Sequence, residues 1–148
     1  MQQLRIQADI AAAPQALWDL LTDLPGWTHW SGVSEVVVRQ KGEPTPNGFG
    51  AIYVLRSRGI AIEQEVVGFD APHHLRYRIV SGIPVKQHEA EVVLTRGPKG
   101  THLDWSVHFE PRFPGTGALI ARLMRREIER FVARLGAYPF EPTTVPAR

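Results

Sequence analysis

The sequence predicts an α+β fold: a seven-stranded curved antiparallel sheet wrapped around a long C-terminal helix, with one or two short helices after strand 1. Three observations predict it. From residue 33 to residue 110 apolar residues alternate with period two, in segments broken by Gly and Pro. Over 116–136 the period changes. At about 100° per residue, Ile120, Leu123, Met124, Ile128, Phe131, Val132 and Leu135 gather on one side. Finally, 148 residues that are 43% hydrophobic and 22% charged suit one domain, 1–148, with a substantial core.

Taken in order, Leu4, Ile6, Ala8 and Ile10 alternate with Arg5, Gln7 and Asp9 as a half-buried strand. Pro14 suits the first turn of a helix, where its missing N–H leaves nothing unpaired. Leu17, Trp18, Leu20, Leu21 and Leu24 form that helix's apolar stripe, and Pro25-Gly26 ends it. The segment carrying Trp27 and Trp30 reads as a second, brief helix.

Six strands follow, at 33–40, 49–56, 60–69, 73–80, 87–96 and 101–110. Turns such as Pro44-Thr45-Pro46-Asn47-Gly48, Ser57-Arg58-Gly59 and Gly97-Pro98-Lys99-Gly100 separate them, so the connections are short enough for an antiparallel meander. Pro111 and Pro114-Gly115 stop the last strand before the long helix. Residues 1–136 make the core, and 137–148, with Pro139, Pro142 and Pro146, an extended tail. A wide antiparallel sheet twists and curls. One helix laid across it fills only the middle of the concavity, which leaves space for a ligand.

Composition excludes several functions. Seventeen Lys and Arg against fifteen Asp and Glu leave a formal net charge of +2, too mild to single out nucleic acid or an anionic membrane. The lack of cysteine excludes disulfides, thiolate metal sites and a cysteine nucleophile. No signal-peptide layout opens the chain and no apolar run approaches ~20 residues, so a cytoplasmic location without membrane insertion is expected. His102, Asp104, Ser106, His108 and Glu110 share one strand face, but it is the outward face and too extended for one ion, so no metal is expected. Gly115-Thr116-Gly117 lacks the third glycine and the strand of a dinucleotide loop, and no Gly-x-Ser-x-Gly elbow exists. No cofactor is expected. Glu89 and Glu91 share the outward parity with Arg76 and Arg78 and should pair with them across strands. Arg122, Arg125, Arg126, Arg130 and Arg134, with Glu127 and Glu129 among them, read as a solvated helix face, so no nucleic acid is expected.

The interior lining follows from whichever alternate set of each strand is more apolar. The last strand then points Leu103, Trp105 and Val107 inward, with Thr101 and Phe109. Leu75 and Tyr77, His88 and Val92, and Ile60, Ile62, Gln64 and Val66 come from the strands before it. Phe49 and Tyr53 are placed inward on a strand that is apolar on both faces. The long helix adds Leu123, Met124, Glu127 and Phe131, and Trp30 closes one end. Mostly aliphatic and aromatic, with few polar groups, this is the make-up of a small-molecule pocket and also of a filled core.

Four residues are candidates for chemistry. His88, Gln64 and Tyr77 are polar members of apolar faces and need partners, which a polar ligand, the backbone or their neighbours supply. Glu127 falls inside the apolar arc by helical angle, where desolvation would raise its pKa and suit it to proton transfer. At the arc's edge it would instead extend outward beside Arg130 or Arg134. Glu127, His88 and Tyr77 are thus the candidate catalytic groups.

Ala13-Pro14, Leu17-Trp18-Asp19-Leu20-Leu21-Thr22-Asp23, then Trp27 and Trp30, resemble the opening of the START-like (SRPBCC, helix-grip) superfamily, in its polyketide cyclase/dehydrase-like branch. Phe69-Asp70, Pro72, Leu75, Tyr77, Gly100-Thr101, Leu103, Trp105, Val107 and Phe109 match its later strands, so the likeness spans nearly the whole chain. The resemblance implies a cavity between sheet and C-terminal helix that binds a small hydrophobic or aromatic ligand, lipid or polyketide-like. It also admits a cyclase or dehydratase using that cavity. Aromatic cyclases of the family use a cavity arginine on the fourth strand and a tyrosine near the second helix; Glu63-Gln64-Glu65-Val66-Val67 and Val33-Ser34 stand there instead. A protein-binding adaptor is the third possibility, and it predicts an exposed apolar patch. None of the three fixes an oligomeric state.

Overall fold

The computed structural model describes residues 1–140. β1 (Gln2–Ile10) leads into α1 (Pro14–Thr22) and a 3₁₀ helix (Leu24–His29). Then come β2 (Glu35–Gln40), β3 (Ile52–Ser57), β4 (Ile60–Asp70), β5 (His74–Ser81), β6 (Val85–Gly97), β7 (Gly100–Pro111) and α2 (Gly117–Ala137). The expected architecture is the one found, a seven-stranded curved sheet in the order β1-β7-β6-β5-β4-β3-β2. Every neighbouring pair is antiparallel. Of the expected tail, Pro142 and Pro146 lie outside the described residues.

Local sequence explains the elements. Pro14 opens α1, which buries Leu17, Trp18 and Leu21 on one side. The Asp23 carboxylate then accepts the Gly26 N–H, capping the 3₁₀ helix that carries Trp27. Strict alternation in β7 buries Thr101, Leu103, Trp105, Val107 and Phe109 while the residues between them face outward. Gly100 is needed where the β6–β7 hairpin crosses the end of β1. Its φ is +126°, and a Cβ there would stand 2.5 Å from the Ile10 carbonyl oxygen.

Register shifts fall between Val38 and Gln40, twice within β4–β5, and between Lys86 and Glu89. Such bulges raise the local twist and help curl the sheet. On the outer face Arg76 pairs with Glu89, as expected, but Arg78 reaches back to Glu65 on β4, and Glu91 is held by His74. His102 and Asp104 face outward too, engaged with Asp9 and Arg5.

Three inward placements are corrected. Phe49 is 61% exposed, because β3 begins only at Ile52 and Gly50, at φ +87°, breaks the alternation before it. Ile60, at the tip of the β3–β4 hairpin, is also exposed. On α2 the buried residues are Gly117, Ile128, Val132 and Leu135, with Ala121, Met124 and Phe131 half-buried. That arc is rotated from the predicted one because α2 lies against β1 and β7. Leu123, roughly 140° from Ile128 around the helix, is therefore 51% exposed.

Candidate functional site

Where α2 leaves the concavity uncovered, aromatic rings cover it. Phe131 of α2 packs against Trp27 at 4.7 Å between ring centroids, Trp30 at 5.1 Å and Trp105 of β7 at 5.5 Å. Trp105 in turn meets Tyr77 edge-on at 6.3 Å, and Tyr77 meets His88 at 6.0 Å. The register makes this stack: Ile6, Trp105 and Val92 lie abreast across β1, β7 and β6. Edge-to-face rings at these spacings are favourable, and they fill the room a ligand would need.

The void that remains is about 20 Å³, space for about one water. The ligand-sized cavity expected from the sequence is closed in this structure. Leu21, Thr22, Leu24, Trp27 and Asn47 line the void on one side, and Gln64, Val66, Leu75, Tyr77, Val92 and Trp105 on the other. Asn47 Nδ2 donates to the Thr22 carbonyl at 3.1 Å and lies 3.2 Å from the Thr22 hydroxyl, tying the β2–β3 loop to the end of α1. Thr22 itself donates to the Trp18 carbonyl.

Several polar groups of this interior have unused hydrogen-bonding capacity. The indole nitrogens of Trp30 and Trp105 are buried and have no partner among the described residues. By contrast, Trp27 Nε1 donates to the Leu21 carbonyl at 3.2 Å. Gln64 is buried, and its amide makes no side-chain hydrogen bond among the described residues. The Tyr77 hydroxyl has its pKa raised by burial, and the nearby Trp105 indole opposes that, though the contact does not meet hydrogen-bond geometry. Tyr53, also buried, is pushed up to about 12 by burial and then by the Asp23 carboxylate.

The three candidate acid–base groups part company. His88 and Tyr77 are neighbours. His88 sits in the bulge between Lys86 and Glu89, where its Nδ1 accepts the Ile79 N–H at 3.0 Å and replaces a ladder partner. Burial, and then the nearby His108, lower its pKa to about 4, so the ring is neutral at pH 7. Glu127 is not in the interior. Its side chain is 61% exposed and bridges Arg58 at 3.3 Å and Arg130 at 3.1 Å. It stands roughly 100° from Ile128 around the helix, just past the buried arc, so its carboxylate reaches water and two guanidinium groups.

Of the other predicted residues, Val66, Leu75, Val92 and Trp105 line the void with Gln64 and Tyr77. Leu103, Val107 and Tyr53 are buried in the surrounding core, while Ile62, Met124, Trp30 and Phe131 are half-buried. Sequence reasoning missed Leu21 and Leu24, which read as a helix's core stripe, Trp27, which read as part of a second, brief helix, Thr22, and Asn47, which read as a turn residue. Only Asn47's side-chain bond to Thr22 sets it apart. A second depression, an open trough of about 540 Å³, lies where β5 and β6 diverge, with Arg78, Lys86, Glu89, His108 and Arg112 at its rim.

A family model described as "Polyketide cyclase / dehydrase and lipid transport" matches residues 1–138. No curated protein matches the chain in sequence. Among solved structures, a START superfamily protein from Mycobacterium smegmatis superposes with a TM-score of 0.78 at 13% identity, covering 91% of this chain and 94% of that one. The protein XoxI from Bacillus cereus gives 0.76 at 15% identity over 93% and 94% of the two chains. A Thermobifida fusca protein gives 0.73 at 20% identity over 95% and 97%. At such identities the likeness is one of fold, and the fold is the helix-grip.

Proposed function

The chain belongs to the polyketide cyclase/dehydrase and lipid transport family, and from that premise we propose that it binds a small hydrophobic or aromatic ligand between sheet and C-terminal helix. The observation that carries this reading is a pair of buried indole N–H groups without acceptors among the described residues, Trp105 on the void and Trp30 beyond Phe131, with the buried Gln64 amide also facing the void. A folded core built only for stability pairs such groups, because each unpaired one costs about 1–3 kcal/mol. A site that awaits a partner leaves them open. The surrounding Leu21, Val66, Leu75 and Val92 would supply apolar burial, about 25 cal/mol per Å² before the cost of ordering. The closed interior means that binding requires the aromatic stack to move, so the ligand selects a minor, open state.

The geometry gives less support to catalysis by the predicted trio, since Glu127 stands outside and His88 Nδ1 is committed to Ile79. A cyclase or dehydratase on this scaffold would depend on Tyr77 as a hydrogen-bond donor, with Gln64 beside the same void. A second reading, docking to another protein, is favoured by one feature: Leu119 and Leu123, a turn apart on α2, are 56% and 51% exposed.

Titration with the lipophilic fluorophore N-phenyl-1-naphthylamine tests the ligand reading. Saturable binding of one equivalent, with quenching of tryptophan fluorescence and loss of binding in Gln64→Glu, is the expected outcome. Binding that is lost in Leu123→Glu and untouched by Gln64→Glu would place the apolar site on the surface of α2 and favour docking.

A further inference from the structure

We infer that Phe131 is a plug standing in the ligand's place, and that the ligand is an uncharged molecule whose hydrogen-bond acceptor takes the indole proton of Trp105, with Trp30 as a second donor nearer the mouth. The inference rests on the proposed ligand-binding function and names the ligand's polar chemistry and the moving part.

Four observations lead to it. First, Phe131 is the ring shared by the two unsatisfied indoles, 5.1 Å from Trp30 and 5.5 Å from Trp105 between centroids. Roughly nine in ten buried polar groups in folded proteins are paired, so two orphaned donors against one ring are not what core packing alone produces. Second, an indole N–H only donates. Its complement is an acceptor: a carbonyl, ether or hydroxyl oxygen.

Third, Phe131 is half-buried, whereas Leu135 one turn on is fully enclosed. Phe131 therefore borders solvent and has somewhere to swing without unfolding α2. Fourth, among the described residues no charged side chain lines the void, and the buried polar residues are Thr22, Ser31, Gln64, His88 and Thr101. A carboxylate or ammonium brought against Trp105 on the void side would be desolvated with no counter-charge among the residues that line it. A neutral oxygen would be met by Trp105, with the Tyr77 hydroxyl and Gln64 amide around the same void.

The test compares acetophenone with α-methylstyrene, which has the same skeleton with the carbonyl oxygen replaced by methylene. Both are titrated into the full chain while the four tryptophan indole N–H signals are followed by ¹H–¹⁵N NMR. Acetophenone should move the Trp105 indole proton downfield, and α-methylstyrene should not. Trp105→Phe should weaken acetophenone roughly fivefold, the worth of one net hydrogen bond, with α-methylstyrene changed less than about twofold. Phe131→Ala should tighten both roughly tenfold, because the site no longer has to open. If Trp105→Phe does not fold, Trp30→Phe at the half-exposed mouth reads the same discrimination. Equal loss of both compounds in the tryptophan variants, with the indole proton unmoved by the ketone, overturns the acceptor inference and leaves ligand binding standing. Failure of either compound to bind the wild type or Phe131→Ala overturns both.

Discussion

Two regions on the same sheet are built on opposite plans. Along β6 and β7, near α1, the interior is hydrocarbon packed to completion: Leu17, Leu94 and Leu103 are fully enclosed. The one polar residue at that end of β7, Thr101, gives its hydroxyl proton to the Ala12 carbonyl at 2.6 Å. Around Trp105, a few residues along the same strand and beneath Phe131 of α2, large rings replace aliphatic chains, two indole donors lack acceptors among the described residues, and Trp30 and Phe131 reach the surface. The first region is where the fold gets its stability. The second gives some of that stability up, and departures of this kind cluster at functional sites.

The largest effect should separate the two regions directly. Leu103→Ala, in the completed half, is expected to lower unfolding free energy by about 2–5 kcal/mol in urea titrations. Gln64→Leu, beside the void, should be neutral or stabilising by about 1 kcal/mol, because it replaces an amide that makes no side-chain hydrogen bond among the described residues and keeps the volume. A severe loss in Gln64→Leu would show that the amide has structural partners and would erase the contrast.

Acid titration sharpens the comparison at the border between the two regions. The His88 pKa is held at about 4 against an ordinary value of 6.5. The unfolded chain therefore takes up this proton first as pH falls. The stability involved is complete above pH 6.5 and drains away between 6.5 and 4, by up to about 3 kcal/mol. In His88→Gln, whose amide oxygen still accepts the Ile79 N–H, the slope of unfolding free energy across that window should flatten. An unchanged slope would assign the acid sensitivity elsewhere.

The smallest effect is expected at the surface. Glu127→Ala breaks two exposed ion pairs, to Arg58 and Arg130, and should change stability by less than about 1 kcal/mol. It should also leave ligand affinity unaltered. A marked loss of binding would mean that the β3–β4 hairpin tip, held to α2 through Arg58, takes part in opening the site.

How far these regions were legible in the sequence differs for a physical reason. Period-two alternation reports which face a strand residue takes, and it placed Thr101 through Phe109 and the pair Leu75 and Tyr77 correctly. The same rule failed at Phe49 because one glycine at positive φ resets the phase. On α2 the apolar residues cover more of the circumference than the protein buries. Hydrophobicity alone therefore did not show that β1 and β7 would take the side centred on Ile128, leaving Leu123 and Glu127 outside. The filled interior was not legible either. Strand alternation turns Trp105 inward and helical periodicity turns Phe131 inward, and neither says whether these rings, with Trp27 and Trp30, leave a gap where they meet. Unsatisfied indoles are a three-dimensional property, and only the number of tryptophans, four in 148 residues, hinted at them.

The most direct test of the central claim, that the region around Phe131 is a closed ligand site, is native mass spectrometry of the protein drawn gently from its own host. Denaturation then releases and identifies anything carried with it. The account predicts a single stoichiometric compound that is hydrophobic, uncharged and bears an acceptor oxygen. Bare protein from every growth condition, combined with no uptake of added apolar probes, would contradict it and make the aromatic stack part of an ordinary core.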